Sequence, residues 1–155
     1  MLFLLYYRCD KNLSTERNGG YVMFKRDKYL NQLINYEHNN LIKAITGIRR
    51  SGKSYLLNNI FYDYLTRTKK VKSDHIIKFA FDSEEDVRLL DKYLPEQPTI
   101  LKVDGQMVVN NRKFLCFIDE RITDNDDYYL LLDEIQILDG FVRVLNGFLR
   151  HQNYD

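Results

Sequence analysis

The segment Gly47-Ile48-Arg49-Arg50-Ser51-Gly52-Lys53-Ser54 constrains the fold of this chain more than any other. It follows the pattern G-x-x-x-x-G-K-S/T, a loop that captures phosphate. Gly47 and Gly52 allow a tight turn that aims successive backbone N–H groups at an anion. Lys53 adds a point charge for the β- and γ-phosphates, and the Ser54 hydroxyl is an oxygen donor of the kind Mg²⁺ prefers. A helix that starts here directs its positive N-terminus at the same place. The flanks agree. Leu41 to Ile48 is an apolar run suited to a buried parallel strand. Leu56, Leu57, Ile60, Phe61, Tyr64 and Leu65 then recur at helical spacing. Strand, glycine loop and helix come in the order that a P-loop, or Walker A, needs. The phosphate-binding stretch is therefore expected to run from Gly47 to Tyr55.

A second run, Tyr128-Tyr129-Leu130-Leu131-Leu132-Asp133-Glu134, is apolar and ends in two acids. Many strands end in a solvated acid, so alone it says little. About 80 residues after the glycine loop, and opening onto the same sheet edge, it reads as a Walker B strand. In that reading Asp133 holds the Mg²⁺ shell together with Ser54. Glu134 orients or deprotonates the attacking water. The catalytic residues are then Glu134 and Lys53.

At 155 residues the chain is long enough for one domain with a sizeable core. Its net charge of +1 gives no global field that would draw nucleic acid or an anionic membrane. Cys9 and Cys116 lack metal-ligand spacing, which fits a reduced, cytoplasmic setting with Cys116 in the core. The opening tract Met1 to Tyr7 is too short to span a bilayer and lacks the basic flank and cleavage site of a signal peptide.

Residues 8–24 read as a loose leader, and Asp27 to Tyr36 as a short amphipathic helix ended by His38-Asn39-Asn40. Arg67, Lys69, Lys70 and Lys72 follow the P-loop helix; cations there complement its C-terminus and stay solvated. His75 to Phe81 is a second strand ending at Asp82, and Ser83 caps a short helix through Leu90. Ile100 to Val103 and Gln106 to Val109 flank Asp104-Gly105, a hairpin pattern. Phe114, Leu115, Ile118 and Ile122 mark a helix started by Asn110 or Asn111. Thr123 to Asp127 is an acidic turn without a metal-ligand pattern. Phe141, Val144, Leu145, Phe148 and Leu149 give a last helix its core face. The three histidines, His38, His75 and His151, are scattered, with surface or strand-end positions expected for each. Helices alternating with apolar strands predict an α/β fold with three layers around a parallel sheet.

With these motifs in place, the chain resembles prokaryotic AAA-type P-loop ATPases that join an N-terminal ATPase core to a C-terminal domain. The resemblance rests on Lys25-Arg26-Asp27-Lys28-Tyr29-Leu30, Ile45-Thr46-Gly47 through Ser54, Leu132-Asp133-Glu134-Ile135-Gln136, Asp139-Gly140-Phe141 and Val144-Leu145-Asn146-Gly147. It covers residues 25–155 and leaves 1–24 as an unmatched leader. It implies ATP and Mg²⁺ as cofactors, with Gly47, Ile48, Arg49, Arg50, Ser51, Gly52, Lys53, Ser54 and Tyr55 around the nucleotide. Arg49 and Arg50 would lie near the phosphates or pair with acids at the rim. Gln136 would sense the γ-phosphate or hold the network on the nucleotide side. A homo-oligomer is compatible with such a core.

The resemblance also carries a departure. In the family a strand bearing the sensor-1 polar residue follows the Walker B helix, and it lies between the Walker A and Walker B strands. This chain stops at Asn153-Tyr154-Asp155, where that strand would begin. The expectation is a P-loop core truncated after the Walker B strand and its helix: an ATP-binding domain, weakly active or inactive alone. The alternative is a non-catalytic nucleotide-binding remnant or interaction module. A GTPase is disfavoured because no Asn-Lys-x-Asp segment is present.

Overall fold

A computed structural model describes residues 27–37, 41–48 and 50–151. The leader read over 1–24, Cys9, the stop at His38-Asn39-Asn40, Arg49 and the chain end after His151 lie outside the described residues. The elements are α1 (Asp27–Asn35), α2 (Lys53–Tyr55), β1 (Ile76–Ala80), α3 (Glu84–Arg88), β2 (Ile100–Val103), β3 (Gln106–Val109), α4 (Asn111–Arg121), β4 (Tyr129–Asp133) and α5 (Phe141–His151). The helix begun by α2 continues through wider π-type turns at Leu56–Phe61 and Tyr64–Thr68. At its end the Lys69 N–H reaches back five residues, to the Tyr64 carbonyl, at 3.0 Å.

β1 and β4 pair in parallel, from Ile76 opposite Tyr129 to Ala80 opposite Asp133. Because successive side chains in a strand point to opposite faces, this pair has two apolar sides. Ile77 and Phe79 join Leu130 and Leu132 on one side and pack with Phe114, Phe117 and Ile118 of α4 and Val144 of α5. Ile76, Tyr129 and Leu131 face the other way and pack with Leu33 of α1 and with Leu56, Leu57, Phe61 and Leu65. Helices therefore cover both faces of a parallel pair, the arrangement that near-continuous apolar strands require. The first core is strongly aromatic: Phe79 meets Phe114 and Phe117 edge-on, at ring-centre distances of 5.2 and 5.1 Å. Such contacts add to the burial itself.

Local chemistry sets the element ends. Ser83 caps α3 by accepting from the Asp86 N–H at 3.3 Å, and Asn110 caps α4 by accepting from Arg112 at 3.0 Å. β2 and β3 form the expected hairpin, with Val103 opposite Gln106. Asp104 and Gly105 both take positive φ, 49° and 83°, which suits a two-residue turn matched to strand twist.

One expected strand is different. Leu41 to Ile48 holds only isolated bridge pairings, at Ala44 and Thr46, and Leu41 is exposed. A strand is defined by a laddered neighbour as much as by its own residues. The described two-stranded parallel sheet consists of β1 and β4, and 41–48 is in continuous register with neither.

Candidate nucleotide site

In a parallel sheet every strand delivers its C-terminal end to the same edge, where ligands bind in open α/β folds. Here β1 and β4 end at Ala80 and Asp133, and a cavity of about 510 Å³ opens beside them. That is within the usual range for a small-molecule site. Gly47 and Lys53 line it from the first motif, and Asp133 and Glu134 from the second. Two stretches about 80 residues apart in sequence thus meet at one place.

The first motif folds as a tight loop into a helix. The Ser51 N–H donates to the Ile48 carbonyl at 3.1 Å. Gly52 precedes α2 at φ 79° and ψ 30°, a left-handed conformation that glycine adopts without a Cβ penalty. Arg50 takes φ 63°, which costs a residue with a Cβ roughly 1–2 kcal/mol. Such strain clusters at binding loops. The Lys53 ammonium donates to the Gly47 carbonyl at 3.2 Å and the Ile48 carbonyl at 3.4 Å, so it reaches back across the loop.

The second motif is more buried. Leu130 and Leu131 are inaccessible to solvent, and Asp133 emerges half-buried at the strand end. Its Oδ1 accepts the Glu134 N–H at 3.1 Å. Glu134 has a left-handed backbone, φ 52° and ψ 38°, and opens a 3₁₀ turn at Ile135–Ile137. The Gln136 side-chain amide donates to the Glu134 carboxylate.

The sequence-predicted residues are therefore not equally placed. Gly47, Lys53, Asp133, Glu134 and Gln136 border the cavity. Ile48, Arg50, Ser51, Gly52, Ser54 and Tyr55 belong to the loop and first helical turn but do not line it, and Ser54 and Tyr55 are exposed. Arg49 is outside the described residues. Asp82 and Thr46 line the cavity without having been singled out as site residues. Asp82 carried a readable signal, since HIIKFAF-Asp82 repeats the pattern of an apolar run ending in an acid. A cation, exposed loop backbone and three carboxylates around one cavity form a donor set that fits a magnesium–triphosphate.

A polar cluster ties the P-loop helix to the start of β4. The Lys69 ammonium pairs with Glu37 at 2.7 Å and donates to the Tyr129 hydroxyl at 2.5 Å. Burial pushes Lys69 down, but hydrogen bonds to Glu37 and Tyr129 outweigh it, and its pKa lies above the ordinary lysine value. Burial lifts the Tyr129 phenol above its usual value, against the pull of Lys69. The Lys69 side chain is three-quarters buried, so it is not a freely solvated member of the basic run.

At the opposite edge of the sheet, the buried His75 ring stacks on Tyr128 at 4.5 Å, and its Nε2 lies 3.3 Å from Asp124. The ligand atoms of His75, Asp124 and Asp126 lie within 4.8 Å of one another. Lys72 stands 3.6 Å from Asp126, so both acids already have cationic or ionisable neighbours. Among the described residues no helix is long and apolar enough to cross a membrane.

Comparison with known proteins gives the family. The family described as an AAA domain matches residues 39–155. A protein of Haemophilus influenzae, described only as uncharacterized, is 31% identical over 134 residues; the match covers 86% of this chain and 28% of that protein. No solved structure matches.

Proposed function

Because the chain belongs to the AAA domain family of nucleotide-binding proteins, we propose that it binds ATP with Mg²⁺ in the cavity beside β1 and β4 and presents Glu134 as the base for γ-phosphate hydrolysis. The observation that carries this reading is the convergence of Gly47 and Lys53 with Asp133 and Glu134 on one cavity of about 510 Å³. The loop from Gly47 to Ser54 would hold the phosphates through its N–H groups and Lys53. Ser54 and Asp133 would serve Mg²⁺, Asp133 through water. Bound Mg²⁺ would neutralise charge on the transferring phosphoryl group. Glu134 would take a proton from the attacking water, its carboxylate steadied by Gln136.

Thermal melting of the purified chain with ATP, GTP and ATP lacking Mg²⁺ tests this directly. A ligand at about 100 times its Kd stabilises by about 2.7 kcal/mol. The expected order is Mg²⁺-ATP well above both others. No shift with Mg²⁺-ATP at millimolar concentration would remove the proposal.

A further inference from the structure

Asp82 lies outside both motifs, yet it borders the cavity with Asp133 and Glu134. Its position is well anchored. The parallel pairing of β1 with β4 is extended by the Phe81 N–H, which donates to the Asp133 carbonyl at 3.0 Å. Asp82 therefore leaves β1 at the level where Asp133 leaves β4. The turn that presents it is closed by the Ser83 N–H on the Ala80 carbonyl at 3.1 Å. Asp86 holds the same turn from below, accepting from the Ala80 N–H at 2.7 Å.

The three acids of the cavity differ in what they already touch. Asp133 accepts from its neighbour's N–H, and Glu134 accepts from Gln136. The Asp82 carboxylate is exposed and makes no hydrogen bond or ion pair among the described residues. A free carboxylate at a triphosphate site repels the bare nucleotide. It attracts the divalent cation, and the water on it, that a nucleotide complex brings.

We propose that Asp82 is a second anchor for the magnesium of the nucleotide complex, a positioning residue whose carboxylate accepts hydrogen bonds from water on the cation. Asp133 and Asp82, on adjacent parallel strands, then share the cation's hydration shell. Mg²⁺ keeps several waters when bound to proteins, so carboxylates that act through water suit it. This inference rests on the magnesium-nucleotide reading and adds a cation-selective role for a residue outside the Walker motifs.

The test is calorimetric titration of ATP into the whole chain, with saturating Mg²⁺ and with the metal removed by EDTA, for wild type, Asp82→Asn and Asp82→Glu. Asp82→Asn should weaken Mg²⁺-ATP binding about tenfold, the size of one charge-assisted hydrogen bond. It should leave metal-free ATP unchanged or bound more tightly, because one negative charge has gone. Asp82→Glu should keep most of the Mg²⁺ preference. Equal changes with and without Mg²⁺, or no change, overturn the role of Asp82, since a solvated or structural acid has no cation-dependent effect. Wild type that binds ATP in neither condition overturns the nucleotide reading and this inference together. Wild type that binds ATP equally well with and without Mg²⁺ overturns the role of Asp82 and the magnesium part of the proposed function, and leaves ATP binding standing.

Discussion

The two halves of the candidate nucleotide cavity are built differently. The half contributed by β1 and β4 is a continuous parallel ladder from Ile76–Tyr129 to Ala80–Asp133, and Leu130 and Leu131 within it are fully buried. The half contributed by the glycine loop has isolated bridges at Ala44 and Thr46, an exposed Ile48 and a strained Arg50. The first half owes its shape to the core and exists without a ligand. The second is held by the partly buried Ile42 and Ile45 but leaves Ile48 exposed, and in the proposed function phosphate becomes the partner of its N–H groups. Segments of that kind come from the low-stability end of a fold.

The largest effect expected from this contrast is in the core. Leu130→Ala should cost about 3–5 kcal/mol, because it opens a cavity where packing is tight on all sides. Ile48→Ala, at 67% exposure, should change stability by less than about 0.5 kcal/mol. Urea denaturation of both variants measures the pair, and equal losses would erase the distinction between the halves.

Ligand binding should show the reverse sensitivity. Lys53→Ala should weaken ATP binding by about one to two orders of magnitude while barely altering the melting temperature of the free chain. Glu134→Gln should leave binding nearly intact and lower any turnover by about 10²-fold. Calorimetry with a phosphate-release assay separates the two, and an unchanged ATP affinity in Lys53→Ala would overturn the P-loop assignment.

The link between the halves gives a smaller effect. Lys69→Ala leaves Glu37 buried without this cation, at a cost of about 2 kcal/mol for a pair whose lysine is partly exposed. The pKa of Lys69 is raised in the fold, so its contribution is complete below the ordinary value of 10.5 and is lost as pH rises through the higher folded value. The gap between wild type and Lys69→Ala should therefore hold from pH 7 to 9 and narrow above about 10.5. A gap that does not depend on pH would mean that Lys69 stabilises by packing alone.

These differences also explain what could be read from the sequence. Tyr129 to Asp133 was legible because an apolar run ending in acids follows the glycine loop at a fitting distance, and Asp104-Gly105 because positive φ restricts the residues of a tight turn. Asn110 was one of two candidates for the α4 cap, and the hydrogen bond to Arg112 selects it. Leu41 to Ile48 had the composition of a strand, but composition does not specify a laddered neighbour. Asp82 could be seen as a strand-end acid, but its place in the cavity depends on which strand lies beside β1. Lys69 looked like one more solvated cation, because its partners Glu37 and Tyr129 are distant in sequence.

The most direct measurement is amide hydrogen exchange with and without Mg²⁺-ATP. The expected result is rapid exchange at Gly47, Ser51, Gly52 and Lys53 in the free chain, slowed at least tenfold by the nucleotide, an opening cost of about 1.4 kcal/mol or more. Leu130, Leu131 and Leu132 should be protected in both states. Protection of the loop amides that the nucleotide does not change, or nucleotide-induced protection that appears first in β4, would contradict a preformed Walker B half completed by a ligand-ordered glycine loop.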